Sequence, residues 1–213
     1  VRSFKGVQAM NLNNSTTPVS ERKKYKIIYA DPPWHYGSKS AVNNSIGNDI
    51  KPLSEHYNTM SLSDLKAMPI KKIIDKDCAC FMWVTDSHLD EAIQILKAWG
   101  FQYKTIAFNW IKTTSKGNFC KNVAPWTMKS SEVCLLGTRG AMTKYKKINN
   151  IESLVMAERT KHSKKPSEVR KRIELLFGDL PRLEMFARSS VEGWDVFGNE
   201  APNSIEIDVN NRI

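Results

Sequence analysis

A short polar motif follows a hydrophobic run near the beginning of the chain. Residues 24–30, KYKIIYA, have the composition of a buried strand, and Asp31, Pro32, Pro33 and Trp34 follow directly. An ionised aspartate only accepts hydrogen bonds, and neither proline has a backbone N–H to donate. The Asp31 carboxylate and the Pro32 carbonyl could therefore accept both protons of one amine. The exocyclic amine of adenine or cytosine is such a group, and Trp34 could stack on its base.

Two hydrogen bonds to an exocyclic amine would also make it a better nucleophile. Its lone pair is conjugated into the ring, and bonds to its protons draw the nitrogen towards tetrahedral geometry. Attack on a methyl sulfonium then depends mainly on alignment and electrostatics. Asp31 could stabilise the positive charge on the sulfur and then on the nitrogen. The alternative is a turn in which the prolines end the strand and Trp34 packs in the core.

The elements that must position this motif alternate along the chain. Strands or strand-like runs are predicted at 24–30, 78–85, 103–112, 131–138, 153–158, 182–188 and 194–200, and helices at 61–74, 88–100 and 165–178. This alternation favours an α/β fold with a mainly parallel sheet. Ligands of such folds bind outside the carboxyl ends of the strands, where Asp31, Arg188 and Asn199 could share one crevice. Pro69 should interrupt the first helix.

The charge of the chain favours an anionic partner. The 213 residues carry a net charge of +10, which is most simply explained by nucleic acid. Residues 139–172 hold eleven Lys or Arg and three Glu, a candidate phosphate-contacting surface. The four cysteines are too scattered for a disulfide framework or a zinc site, and no metal is expected. Without a signal peptide or a membrane-length apolar run, we expect an intracellular protein, cytoplasmic or nuclear, without membrane association.

Eight motifs resemble those of the MT-A70 family, the DPPW-type S-adenosylmethionine-dependent adenine-N6 methyltransferases. They are YADPPW, HYNTMSLSDL, FMWVT, WGF, NWIKT, SSEVCLLGTRG, HSKKPSEV and RLEMFARSSVEGWDVFGNE. The resemblance implies a Rossmann-like fold with helices on both faces of the sheet and the catalytic motif before the main cofactor motifs. It divides the chain into a polar N-terminal arm (1–24), a methyltransferase domain (25–200) and a C-terminal tail (201–213).

The resemblance also implies roles for individual residues. Asp31, Pro32, Pro33 and Trp34 would hold the target amine, and Asp31 would also contact the methionine amino group of the cofactor. Lys165 would lie near the methionine carboxylate and the transferred methyl group. The residues expected at the cofactor ribose and adenine are Arg188, Asn199 and Glu200. Those expected to line the acceptor-adenosine pocket are Tyr57, Trp110, Glu132 and Ser163.

Several of these positions have simpler explanations. Lys165 could be an ordinary lysine at the start of a helix. Tyr57 and Trp110 could be core aromatics. Glu132, at a strand start, could simply face solvent.

The last motif departs from the family at two places. Ser189 and Ser190 stand where relatives often carry His-Asn or similar residues, which leaves the ribose contact open. Glu200 replaces a glutamine of some relatives, which leaves the adenine contact open.

The sequence therefore predicts a methyltransferase acting on adenine N6 in nucleic acid. DNA is preferred because the chain is compact like the DNA-directed members of the family. RNA is the first alternative, since the sequence does not reveal a 2′-OH contact. A non-catalytic, nucleic-acid-binding partner subunit is the alternative of another class, and the intact Asp31–Trp34 motif and Lys165 argue against it. A homologous partner chain could form a dimer with it, and the target base must be single-stranded or flipped.

Overall fold

The computed structural model describes residues 23–34, 59–124, 126–160, 164–198 and 201–207. The strands are β1 Tyr25–Ala30, β2 Ile74–Val84, β3 Gln102–Thr113, β4 Ser131–Arg139, β5 Leu154–Glu158, β6 Arg182–Met185 and β7 Asp195–Phe197. The α-helices are α1 Leu62–Ala67, α2 Leu89–Ala98 and α3 Ser167–Phe177. Each corresponds to a predicted element. Among the described residues, no helix is both long and apolar enough to cross a membrane.

All seven strands form one sheet in the order β5-β3-β4-β2-β1-β6-β7. β4 runs antiparallel to both of its neighbours, and the other pairs are parallel. The predicted Rossmann-like α/β fold with a mainly parallel sheet is thus confirmed. Because β4 is reversed, it begins at the edge where the other strands end. Glu132, the second residue of β4, therefore lies at the carboxyl edge of the sheet, together with Asp31 after β1.

Alternating side chains of the strands face two separate cores, as the period of a strand requires. On one face, Ile28 and Ala30 pack in a cluster with α1 and α2. On the other face, Ile27 and Tyr29 pack in a cluster with α3. The helices therefore cover both faces of the sheet. By the same alternation, Asp31 belongs to the face of Ile27 and Tyr29, which is covered by α3.

The region before β2 differs in detail from its prediction. Ser61 caps α1 by accepting a hydrogen bond from the Asp64 backbone N–H at 3.1 Å, and α1 ends before Pro69, as predicted. A 3₁₀ turn at Ile70–Lys72 follows.

β2 begins at Ile74, four residues earlier than predicted. Ile74 pairs with Tyr25 of β1, and a register shift separates this pair from the next one, Ile27 with Ala79, so the polar residues in between lie in an irregular part of the strand.

The basic stretch 139–172 is divided between opposite edges of the sheet. Its first part lies at the amino edge, where Lys144 Nζ is 2.6 Å from Asp77 Oδ2 and the Ala141 N–H donates to Asp77 Oδ1 at 2.8 Å. These two contacts lower the pKa of Asp77 to about 2. Lys165, by contrast, lies at the carboxyl edge against Asp31. The excess charge of the stretch is therefore not one continuous surface beside the predicted site.

We expect Gly140→Ala to destabilise the fold more than Gly117→Ala. Both glycines have positive φ, +65° and +79°, so each alanine carries backbone strain of roughly 1–2 kcal/mol. A Cβ at Gly140 would stand 2.2 Å from Asp77 Oδ1 and 2.4 Å from the Lys76 carbonyl oxygen, whereas one at Gly117 meets nothing within 4 Å. Urea denaturation should show an additional loss of about 1 kcal/mol or more for Gly140→Ala. Equal losses of unfolding free energy in the two variants would contradict the close approach of Gly140 to Asp77 and Lys76.

Candidate active site

Four charged side chains form a chain of alternating sign at the carboxyl edge. Lys165 Nζ lies 2.8 Å from Asp31 Oδ2 and 3.3 Å from Glu132 Oε2. The second oxygen of Glu132, Oε1, pairs with Lys112 Nζ. The site thus contains two carboxylates and two ammonium groups, and each charge has a partner of opposite sign.

The fold brings these residues together from four separate elements. Asp31 follows β1, Lys112 is the second-last residue of β3, and Glu132 lies near the start of β4. Lys165 comes immediately before α3, where Pro166 precedes the first helical residue. The structure therefore joins three of the predicted site residues directly: Asp31, Glu132 and Lys165.

Burial makes this charge pairing necessary. Lys112 and Glu132 are 6% and 8% exposed, and an unpaired charge at such a position would be strongly destabilising. Burial alone would lower the pKa of Lys165, but the carboxylates of Asp31 and Glu132 outweigh that effect and raise the pKa. Lys165 is thus held as a cation. The Asp31 side chain is 26% exposed, which makes it the carboxylate that an incoming ligand can reach.

Two tryptophans lie beneath the charged chain. Lys165 Nζ is 5.7 Å from the centre of the Trp83 ring, and Lys112 Nζ is 5.0 Å from that of Trp110, within the range of cation–π attraction. The two rings meet edge to face with centroids 6.3 Å apart. Trp83 Nε1 donates to the Tyr29 hydroxyl at 2.6 Å, which fixes the ring that supports Lys165.

The proline corner is a closed turn. The Trp34 N–H donates to the Pro32 carbonyl at 2.9 Å, and the Met60 N–H donates to the Pro33 carbonyl at 3.0 Å. The Pro32 carbonyl therefore already accepts one hydrogen bond within the motif. A carbonyl oxygen has two lone pairs, so the second remains available for the predicted amine contact.

Trp34 is buried in the core beside this corner. It is 7% exposed and belongs to the cluster on the face of α1 and α2. Its ring lies 5.4 Å from that of His88, and the Thr85 hydroxyl lies 3.0 Å from His88 Nδ1. This burial agrees with the alternative in which Trp34 packs in the core, and its stacking on a base stays a prediction.

The remaining predicted residues are not part of the charged chain. Trp110 is fully buried and its Nε1 donates to the Ala157 carbonyl at 2.9 Å, which agrees with the core-aromatic alternative. Arg188 is half-buried, three residues after the end of β6. The predicted residues outside the described ranges are Tyr57, Ser163, Asn199 and Glu200. Residues 1–22 of the predicted arm and 208–213 of the tail also lie outside them.

The sequence prediction missed three charged residues of this region. Lys112 was not singled out, although it occupies the end of a predicted strand in NWIKT. Arg170 and Glu184 form a second ion pair, with Arg170 Nη1 3.0 Å from each Glu184 carboxylate oxygen. Burial raises the pKa of Glu184, and Arg170 opposes that effect. The available signal was the position of Lys112 and Glu184 at the carboxyl ends of β3 and β6.

The described residues contain no group of three or more His, Cys, Asp or Glu side chains arranged to hold a metal ion.

The fold and the Asp–Lys pair at its carboxyl edge are those expected of a Rossmann-like methyltransferase. Residues 25–200 match the model of the MT-A70 family. The chain belongs to this family, and the predicted membership is confirmed.

Three relatives illustrate the similarity. The chain is 34% identical over 212 residues to the Type II methyltransferase M.MunI of Mycoplasma sp, covering 92% of this chain and 88% of the relative. It is 27% identical to the human N(6)-adenine-specific methyltransferase METTL4, covering 84% of this chain and 38% of the relative. It is 26% identical to the N(6)-adenosine-methyltransferase MT-A70-like protein of Drosophila melanogaster, covering 83% of this chain and 27% of the relative. The chain thus spans most of the Mycoplasma relative and a minor part of the other two.

We expect Lys112→Met and Glu132→Gln each to destabilise the protein, and the double variant to lose less than the sum of the two. Glu132→Gln leaves the buried Lys112 ammonium without its partner, which costs roughly 3–5 kcal/mol. Lys112→Met should cost less, because Glu132 keeps Lys165 as a partner. The double change removes both charges of this pair. Urea denaturation of the four proteins should give a coupling free energy of about 0.5–3 kcal/mol.

An exposed ion pair at the same edge provides the control. Lys129 Nζ is 2.8 Å from Asp86 Oδ2, but these side chains are 44% and 42% exposed. The same cycle with Lys129→Met and Asp86→Asn should give a coupling of at most about 1 kcal/mol. If the losses at Lys112 and Glu132 were additive, the buried pair would not be coupled as described.

Proposed function

We propose that this methyltransferase transfers a methyl group from S-adenosylmethionine to the N6 amine of adenine in DNA. The observation that carries the proposal is the ion pair of Asp31 and Lys165 at the carboxyl edge, where Asp31 also begins the acceptor corner. One charged pair can thereby serve two ligands, the cofactor and the target amine. The relatives named for N(6)-adenine or N(6)-adenosine support adenine as the base.

Asp31 and Lys165 fit the methionine end of this cofactor, which carries one ammonium and one carboxylate. The Asp31 carboxylate would bind the ammonium. An ammonium has three donors, and two of those of Lys165 face Asp31 and Glu132, which leaves a third for the cofactor carboxylate. Bound S-adenosylmethionine supplies a methyl group activated by a positively charged sulfur. Arg188 remains our proposal for a contact with its nucleoside part, together with Asn199 and Glu200.

Asp31 and Pro32 would hold the two protons of the adenine amine. A carboxylate retains acceptor sites when one oxygen binds a lysine, and the Pro32 carbonyl has a second lone pair. Both acceptors are fixed before the base arrives, Asp31 by Lys165 and Pro32 by the turn to Trp34. Such preorganised acceptors stabilise developing positive charge without reorganisation, which supports their role during transfer.

Glu132 is best explained as the residue that positions Lys165. Its two oxygens face two different lysines, Lys112 and Lys165. Removing the carboxylate would weaken the hold on Lys165 even if Glu132 never touched the substrate. A direct contact of Glu132 with the acceptor adenosine stays a prediction, as do those of Tyr57, Trp110 and Ser163.

DNA is preferred over RNA because the chain aligns with nearly the whole of a compact relative, as we expect for the compact DNA-directed members of the family. The Type II methyltransferase matches along 88% of its length, whereas the human and Drosophila relatives match along 38% and 27% of theirs. RNA is the second candidate, since the Drosophila relative is named for adenosine. With either polymer, the amine is accessible only in a single strand or a flipped base. A homologous partner chain also stays a prediction.

We expect the protein to form N6-methyladenine when supplied with labelled S-adenosylmethionine and single-stranded or duplex DNA. Asp31→Ala removes one acceptor of the amine and should lower kcat by about 10²-fold or more, the usual effect of removing one preorganised group. Digestion and chromatography of the nucleosides identify the product. Asp86→Asn, which changes an exposed aspartate at the same edge, should keep nearly full activity.

Three results of that assay would change the proposal. Methylcytosine as the product, or full activity of Asp31→Ala, would contradict it. Greater transfer to an RNA of the same sequence would favour RNA as the substrate. Transfer only after addition of a homologous chain would indicate an obligate heterodimer.

We further expect Lys165→Ala to weaken binding of S-adenosylmethionine about tenfold or more, because a hydrogen bond to a charged group contributes about 1.5–3 kcal/mol. Lys164→Ala, at the exposed neighbouring lysine, should change the affinity less than about twofold. Isothermal titration calorimetry measures both, and thermal unfolding checks that each variant is folded. Similar losses in the two variants would indicate only a general effect of charge.

A further inference from the structure

The connection between β3 and β4, residues 114–130, has a defined shape apart from residue 125, which is outside the described ranges. It starts with a tight turn at 114–117, closed by a 2.9 Å backbone hydrogen bond. Further on, Asn122 and Lys129 exchange two backbone hydrogen bonds of 2.9 and 2.8 Å. Arg159 Nη1 donates to Asn122 Oδ1 at 2.5 Å, which ties this β3–β4 loop to the end of β5.

The β3–β4 loop exposes large apolar side chains that the core does not use. Trp126 is 95% exposed, Val123 81%, Phe119 59% and Met128 57%. The chain has six tryptophans, and the other five are at most 7% exposed. A concentration of exposed apolar side chains is typical of an interaction surface, and Trp126 offers a whole aromatic face.

The charge of the β3–β4 loop favours nucleic acid as its partner. The segment contains three lysines and no aspartate or glutamate. Lys116 and Lys121 are exposed, whereas Lys129 pairs with Asp86. Aromatic faces between positive charges are typical of surfaces that bind single-stranded nucleic acid, because the bases stack and the phosphates are attracted.

The β3–β4 loop also rises directly from the active site. Lys112 and Glu132, the buried ion pair, lie on the strands at its two ends. The Lys112 N–H donates to the Ser130 carbonyl at 2.7 Å, and the Cys120 N–H donates to the Lys112 carbonyl at 2.8 Å. Nucleotides that flank a base bound at Asp31 would therefore lie on the side of the sheet from which this loop projects.

We propose that the β3–β4 loop binds the DNA strand beside the target base, with Trp126 stacking on an unpaired base and Lys116 and Lys121 facing phosphates. The proposal rests on the proposed function for the identity of the polymer. The binding surface itself requires no methyl transfer, so the two can be tested separately.

The first test measures the affinity of the protein for a fluorescent single-stranded oligonucleotide of thymine and cytosine, which has no adenine to methylate. Trp126→Ala should weaken binding about fivefold or more, the lower end of the range for losing one stacked base. Trp126→Phe keeps an aromatic face and should restore most of the affinity. Leu175→Ala, at an equally apolar side chain that is 59% exposed on α3, should leave the affinity unchanged.

The second test measures how the affinity depends on salt. Lys116→Gln with Lys121→Gln should reduce the slope of log K against log salt concentration by about 1.4, since each phosphate contact to a single strand contributes about 0.7. Lys146→Gln with Lys147→Gln removes the same charge from exposed positions at the amino edge and should not change the slope. Equal changes of this slope in the two double variants would contradict a specific contact of Lys116 and Lys121 with phosphates.

Other outcomes separate the explanations. Unchanged DNA affinity of Trp126→Ala, or no DNA binding by the unaltered protein, would overturn the proposal. So would a Trp126→Ala protein that binds DNA normally but changes from dimer to monomer in light scattering, because the loop would then bind a second chain. If Trp126→Ala loses affinity but the unaltered protein forms no N6-methyladenine, the proposed function fails and the loop proposal stands.

Discussion

The Lys165 ammonium held between two carboxylates is the interaction on which the carboxyl edge depends. It joins Asp31 at the end of β1 to Glu132 at the start of β4, and it belongs to the segment before α3. Without Lys165, two carboxylates would share one region of low polarity, and without them the lysine would be a buried lone cation. Lys112 completes the balance at Glu132. The local charges therefore specify how these elements meet as well as what they can bind.

The reversed direction of β4 makes this interaction possible. In a fully parallel sheet, a residue at the start of a strand lies at the edge opposite Asp31. Because β4 is antiparallel to β2 and β3, its start and the β3–β4 loop both lie at the carboxyl edge. One feature of the topology thus supplies the carboxylate that holds Lys165 and the exposed surface beside the site.

Much of the fold could be predicted because hydrophobic runs mark the strands and a stripe of apolar side chains marks α2. The start of β2 could not, since Asp75, Lys76 and Asp77 are polar and lie at a register shift in the pairing with β1. Asp31 and Lys165 could be identified from the proline corner and the family motifs. Lys112 could be placed only at the end of a strand, because a lysine in a strand is ordinarily exposed and only the folded sheet brings it to Glu132. The direction in which a strand pairs does not change its hydrophobic periodicity, so the antiparallel direction of β4 could not be predicted from the sequence.

The proline corner lacks backbone donors, and its acceptors are also held in fixed orientations. The Pro32 carbonyl uses one lone pair for the Trp34 N–H, which fixes the direction of the other. The Asp31 carboxylate is likewise fixed by Lys165. Both acceptors are therefore oriented before a ligand binds, and the cost of ordering them is met during folding rather than during the reaction. The four charges of the site sum to zero. Under the proposed function, the zwitterionic end of the cofactor would therefore bind without adding net charge, and the Asp31 carboxylate would still stabilise a positive charge.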